Sequence, residues 1–456
     1  MNIRSVSHQT RRSATAPAPA AAERSQPVSP SVHLNLNVRG SSPSVTLAIN
    51  ELSDALTRDG REVFRLGLGQ SPFPVPEPVV EALRTHADRK EYLPVRGLEA
   101  LREAVAAYHY RRHGTDRQAE NVLIGPGSKE LMFLLQMVYY GDLVIPTPSW
   151  VSYAPQARII GRHVRWIETT SANNWKLQAE DLERLCQSDP GRPRIVVLNY
   201  PNNPTGHTYA AEELRLIGEV ARRYRVIVLS DEIYGEIHHK GAHVSIAEFY
   251  PEGTIISTGL SKWCGAGGWR LGTFTYPQHL GWLLDAMAVV ASESFTSTSA
   301  PIQFAAVAAF KGGGFIKTYL TNARRVLKAL GRHCAAELRA AGLDVAVPAG
   351  AFYLFPNFHP FRERLAACGV RTSRGLSERL LQDTGVATIP GESFGRPPDE
   401  LTLRMAYVDF DGGAALGALA ATGPDYKPDE TFLRTRCPKV TEAMDRVAAW
   451  LHGLGN

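Results

Sequence analysis

Six short apolar runs, NVLIG, DLVIP, HVRWIE, RIVVLNY, RVIVLSD and TIIST, recur between residues 121 and 258, and amphipathic segments such as LQAEDLERLCQ and AAEELRLIGEVARRY fill most of the gaps. Strands that are apolar on both faces and separated by helices require a sheet covered on both sides, and such a sheet is mostly parallel. The expected fold class is therefore α/β, with a mostly parallel central sheet flanked by helices. Open sheets of this kind bind ligands beyond the carboxyl ends of their strands, so residues just after each run are the first candidates for chemistry.

The pattern changes beyond Pro301. A long helical run from Ile316 to Ala341 is followed by GLDVAVPAGAFYLFPNF, VATIPGESFG and a closing helix VTEAMDRVAAWLHGL, which together read as a smaller α+β domain. Upstream, VTLAINELSDAL, PEPVVEALRTHA and GLEALREAVAAYHYRRHG read as helices, the first packing outside the sheet. At 456 residues the chain exceeds what one core usually supports. The expected division is a disordered tail over 1–43, a small domain from 44–94 and 320–456, and a large domain over 95–319. The stretch between Gly423 and Val440 has loop composition, and Gly312 to Gly314 reads as a helix-ending loop.

A net charge of +5, spread along the chain, argues against a nucleic-acid or membrane partner and favours small-molecule chemistry. The longest apolar stretch, LMFLLQMVYY, is too short to span a bilayer. Cys186, Cys264, Cys334, Cys368 and Cys437 are odd in number and far apart, with no paired metal-ligand spacing, so no metal is expected and a reducing, cytoplasmic location fits. The tail carries Arg4, Arg11 and Arg12 before its first acid, Glu23. That opening also resembles an organellar transit peptide, an alternative that stays open beside the plain tail.

The chemistry concentrates on three residues. Lys262 stands in STGLSKWCGAGGWRLG, 31 positions after Asp231, which closes RVIVLSD, and Arg270 follows eight positions later. An amine able to form a reversible imine, a carboxylate for a pyridine nitrogen and a cation for a phosphate are what pyridoxal phosphate requires. A buried Asp231 without a cation would be costly, and a protonated pyridine nitrogen supplies one. Tyr234, three residues on, is spaced to donate to the cofactor's phenolic oxygen. RIVVLNY runs into PNNPTG, which brings Asn203 to the same sheet edge. GPGSKELMFLLQMV is a glycine turn feeding a helix, so the amides of Ser128 and Lys129 point at a bound anion. Trp150 in TPSWVSY supplies a flat ring to stack on the pyridine.

Rival nucleotide chemistries lack their motifs. In GLGQSP and GAGGWR, Pro72 and Arg270 occupy the third glycine's place of G-x-G-x-x-G, and no G-x-x-x-x-G-K-[ST] is present.

Taken together, PNNPTG, SDEIYGEI, SK followed by GGWRLG, GPGSK, KEYLPVRGLEALREAV and GAFYLFPNF resemble, in order, the motifs of fold type I pyridoxal phosphate enzymes. The likeness is to the class I/II aminotransferases of the aspartate aminotransferase superfamily and runs from about Ser44 to the end. It implies pyridoxal 5'-phosphate as cofactor, an amino acid and a 2-oxo acid as substrates, and ping-pong exchange. It implies that Asn203 and Tyr234 hold the phenolic oxygen, Asp231 the pyridine nitrogen, and Ser128, Lys129, Ser261 and Arg270 the phosphate. Arg404 in LRMAYVDF is similar to the arginine that clamps the substrate α-carboxylate, and Gly69 resembles a glycine whose backbone lines the substrate. Tyr92 is similar to a tyrosine reaching the neighbouring subunit's phosphate, which implies a homodimer. In some relatives the lysine matching Lys129 pairs with a distal carboxylate, which points to a dicarboxylic substrate. Gly259 departs from the pattern, because many relatives carry a hydroxyl there, and the ending MAYVDFDGG departs as well. The same site chemistry leaves β-elimination, decarboxylation and oxidation open beside amino transfer. A pyridoxal-binding regulator would need a DNA-binding module that the tail lacks.

Overall fold

The computed structural model describes residues 33–40, 45–423 and 425–454. The tail expected over 1–43 therefore lies largely outside the described residues, and its described part holds a turn over 36–40.

The six apolar runs all form strands of one sheet: β1 (Val122–Gly125), β2 (Asp142–Thr147), β3 (Val164–Glu168), β4 (Arg194–Asn199), β5 (Ile227–Asp231) and β6 (Thr254–Gly259). A seventh strand, β7 (Gly272–Thr275), was not expected from the sequence. The spatial order is β1-β7-β6-β5-β4-β2-β3, with β7 antiparallel to both neighbours and every other pairing parallel. Alternation along each strand feeds two separate cores. Ile145, Val197, Leu229 and Phe274 pack on one face, and Val144, Val196, Leu198 and Val228 on the other. This is the α/β architecture with a covered, mostly parallel sheet that the alternation requires.

The later part of the chain builds a second layer around three short strands, β8 (Tyr353–Leu354), β9 (Ile389–Pro390) and β10 (Leu403–Ala406), antiparallel with β10 in the middle. The 27-residue helix Gly314–Ala340 buries Leu320, Leu327, Leu330 and Leu338, and packs beside the closing helix Pro438–Gly453. The stretch read as loop between Gly423 and Val440 contains a helix, Glu430–Arg436. Its start is fixed by the Asp429 side chain, which accepts from the Phe432 amide at 2.9 Å, a cap that polar composition concealed. Gly312 ends the helix Ala300–Lys311 as expected.

Candidate active site

The carboxyl ends of β4, β5 and β6 lie side by side, with Asn199 paired to Asp231 and Asp231 to Ser257. Register thus sets Asp231 at the centre of the sheet edge, where only 3 % of its surface is exposed. Its Oδ2 accepts the Tyr153 hydroxyl at 2.5 Å and its Oδ1 the Ile233 amide at 3.4 Å. Burial pushes its carboxyl up to about 6, and these two hydrogen bonds oppose the rise. Asn199 ties the edge together. Its Nδ2 donates to the Asp231 carbonyl at 3.0 Å, and its Oδ1 accepts the Asn203 amide at 2.7 Å, which fixes the start of PNNPTG.

Lys262 follows β6 into the same opening. Its Nζ donates to the Gly69 carbonyl at 2.6 Å and lies over the rings of Tyr234 and Phe352. Burial lowers this amine to about 8, the Arg404 charge adds to the fall, and Asp231 resists it. Burial thus brings Lys262 towards the neutral amine that imine formation needs. Tyr234 meets Tyr353 hydroxyl to hydroxyl at 2.8 Å, and a Cβ on Gly69 would collide with that Tyr353 hydroxyl. The cavity enclosed by these groups has a volume of about 450 Å³.

One end of the cavity is built for an anion. The helix Ser128–Val138 begins there after Gly127, without a side-chain cap, leaving its first amides free of helical partners. Gly272 lets β7 pass against that helix start, because a Cβ there would collide with the Ser128 nitrogen. Arg270 reaches the same place, donating to the Gly267 carbonyl at 2.9 Å and the Pro126 carbonyl at 3.3 Å. Gly127, at φ +94°, leaves the room its guanidinium fills. Ser261 lines this end too. Gly259 offers no hydroxyl, and a Cβ there would stand 2.7 Å from the Leu271 carbonyl, so this backbone has no space for one.

Trp150 and the Lys129 side chain line the cavity as well. The Lys129 ammonium lies 5.2 Å from the centre of the Trp150 ring, and burial followed by the Arg270 charge lowers its pKa. Arg404 enters from β10. It is 2 % exposed, bonds Asn203 Oδ1 at 3.2 Å and the Gly67 carbonyl, and its Nε has no partner among the described residues. Tyr353, on the adjoining strand, lies under its guanidinium at 4.8 Å. Among the described residues, no carboxylate pairs with Arg404 or Arg270, and no lysine or arginine pairs with Asp231.

Of the residues singled out in the sequence, Lys262, Asp231, Tyr234, Asn203, Ser128, Lys129, Trp150, Ser261, Arg270, Arg404 and Gly69 all line this one cavity. Tyr92 does not, and stands 91 % exposed on the surface. Sequence reasoning gave no role to Tyr153, Tyr353 or Asn199. Tyr153, three residues after Trp150, and Tyr353, inside GAFYLFPNF, were visible as aromatic residues in quoted motifs, but nothing local revealed their partners.

The arrangement fits pyridoxal 5'-phosphate. Two cations without anions, an uncapped helix start, a buried acid without a cation and an amine of lowered pKa face one cavity, and the cofactor complements each of them. Comparison with known proteins agrees. Residues 61–409 match the family described as aminotransferase class I and II. The chain is 35% identical over 374 residues to an aspartate aminotransferase of Geobacillus stearothermophilus, covering 80% of this chain and 92% of that protein. It is 30% identical over 374 residues to an asparagine–oxo-acid transaminase of Streptococcus mutans, again over 80% and 92%. The solved aspartate aminotransferase from Thermus thermophilus with maleate superposes with a TM-score of 0.78 at 28% identity, covering 92% of this chain and 99% of that one. The chain belongs to the class I and II aminotransferases and is a pyridoxal phosphate-dependent enzyme that transfers amino groups between amino acids and oxo acids.

Proposed function

We propose that this enzyme exchanges the amino group of a dicarboxylic L-amino acid with a 2-oxo acid by a ping-pong route. The observation that carries the reading is the pair of cations at the cavity, Arg404 and Lys129, neither of which meets a carboxylate among the described residues. Two carboxylates on one substrate answer both. The Thermus thermophilus relative was solved with maleate, a dicarboxylate, which supports the same class.

When bound, pyridoxal phosphate supplies an electrophilic carbonyl and a sink for the charge released at the substrate α-carbon. The protein supplies the rest. Arg404 grips the α-carboxylate through a planar fork held over Tyr353. Lys262 Nζ would serve as the base for the proton at the substrate α-carbon, burial having lowered its pKa and so favoured the neutral amine. Asp231 would pair with the cofactor's protonated ring nitrogen, with Tyr153 holding the carboxylate in place. Tyr234 and Asn203 would orient the phenolic oxygen, and Trp150 would cover the ring. Arg270, Ser261 and the amides of Ser128 and Lys129 would hold the phosphate. Gly69 keeps the substrate channel open beside Tyr353.

Three wider assignments belong to this proposal. Residues 44–94 with 320–456 form the small domain and 95–319 the large one, supported by the separate seven-stranded and three-stranded sheets and by the pairing of Phe64 and Arg65 with Val386 and Ala387. A homodimer gives the exposed Tyr92 a destination in the neighbouring site. Five free cysteines suit a reducing, cytoplasmic compartment. No helix among the described residues is long and apolar enough to cross a membrane.

The test is steady-state transamination of L-aspartate and L-alanine with 2-oxoglutarate. Aspartate is expected to be the better donor, and Lys129→Met to erase that preference by raising its KM about tenfold. An unchanged aspartate-to-alanine ratio in the variant overturns the dicarboxylate reading. Continued turnover, beyond one equivalent of product per site, without any oxo-acid acceptor overturns amino transfer itself.

A further inference from the structure

Behind the cofactor cavity, on the far side of β5, a second group of chemically able side chains converges. Glu232 follows Asp231 at the strand end, His243 lies in the loop beyond it, and His113 is the last residue of the helix Glu99–His113. One donor atom from each lies within 4.8 Å of the others. Their side chains are 4 %, 2 % and 3 % exposed.

The carboxylate is aimed. Glu232 Oε1 is held by two hydroxyls, Ser230 at 2.8 Å and Ser245 at 2.5 Å, which leaves Oε2 pointing at both imidazoles. Oε2 stands 2.8 Å from His243 Nε2 and 3.6 Å from His113 Nε2. The far nitrogen of His113, Nδ1, faces Glu248 Oε1 at 3.3 Å. A carboxylate behind an imidazole, with hydroxyls behind a ligating carboxylate, is the outer support that orients metal ligands.

The charges point the same way. Among the described residues no lysine or arginine pairs with Glu232 or Glu248. A divalent cation held between them supplies the missing counter-charge. Among the described residues His243 Nδ1 also has no partner, a donor atom left over in this nest.

We propose that His113, Glu232 and His243 form a divalent-cation site that clips the helix Glu99–His113 to the strand end carrying Asp231. Two imidazoles and one carboxylate are a donor set for Zn2+, with water completing the shell. The site lies outside the cofactor cavity and takes no part in the proton transfers there. Its ligands are dispersed along the chain, which is why the sequence showed no metal-ligand spacing.

The experiment titrates dialysed holoenzyme with Zn2+ by calorimetry, with the exposed Cys368 replaced by Ser in every arm to remove a competing thiol. One equivalent is expected to bind, and His113→Phe to weaken it at least tenfold while transaminase turnover is retained. X-ray absorption at the zinc edge of the loaded Cys368→Ser protein is expected to show two imidazoles, a readout that needs no ligand variant to fold. Failure of the Cys368→Ser protein to bind Zn2+, equal affinity in His113→Phe, or a zinc spectrum without imidazole overturns the proposal.

Discussion

Tyr153 donates its hydroxyl to Asp231 Oδ2 across 2.5 Å, joining two fully buried side chains that lie 78 residues apart in sequence. A hydrogen bond to a charged acceptor is worth about 1.5–3 kcal/mol, and here it offsets part of the cost of burying the acid. Tyr153→Phe is expected to weaken cofactor retention about tenfold and to lower kcat by a similar factor, with the fold intact. Equilibrium dialysis of the cofactor and steady-state rates check both.

The lowered pKa of Lys262 gives a pH signature. Its amine attacks only when neutral, so the rate at which apoenzyme captures cofactor is expected to rise with pH up to about 8 and level off above it. A rise that continues to pH 10 would place the amine at its ordinary value. Lys262→Ala is expected to abolish transamination and the cofactor's covalent retention, checked by steady-state rates and borohydride trapping.

The same shift bears on stability. A lysine whose folded pKa lies below its unfolded one disfavours folding below the folded pKa, and this penalty fades as pH rises from about 8 towards 10.5. Apoenzyme carrying Lys262→Met is therefore expected to melt a few degrees higher than wild type at pH 7, with the gap closing near pH 10, by calorimetric scans.

Arg404→Lys removes the planar fork while keeping the charge. KM for amino acid substrates is expected to rise between about tenfold and a hundredfold, from the loss of one or two charge-assisted hydrogen bonds. Amines that lack a carboxylate should be affected much less.

Gly272→Ala places a methyl group against the Ser128 nitrogen, in backbone that has nowhere to go. Overpacking of this kind costs about 1–3 kcal/mol or more. The variant is expected to lose several degrees of Tm and to bind pyridoxal phosphate poorly, because the helix start that faces the phosphate is what moves.

The strands of the large sheet were legible because burial on both faces writes a local signal, an unbroken apolar run. β7 escaped, since its GTFT carries glycine and threonine in place of that signal. Lys262, Asp231, Asn203 and Arg270 could be found because each follows or flanks a recognisable strand or turn. Tyr153, Tyr353 and the trio of His113, Glu232 and His243 could not. What defines them is a partner far along the chain, and residue spacing carries no record of such meetings. The helix Glu430–Arg436 was missed for a different reason, since its stability rests on one cap and a few buried contacts within a polar stretch.

Arg404 hangs from the three-stranded sheet, whereas Lys262 and Asp231 hang from the seven-stranded one. A substrate gripped by its carboxylate at one and reacting at the other becomes a tether between the two layers. Trimming the carboxylate should consequently slow turnover as well as weaken binding, because part of the grip is spent on bringing the reacting atoms into line.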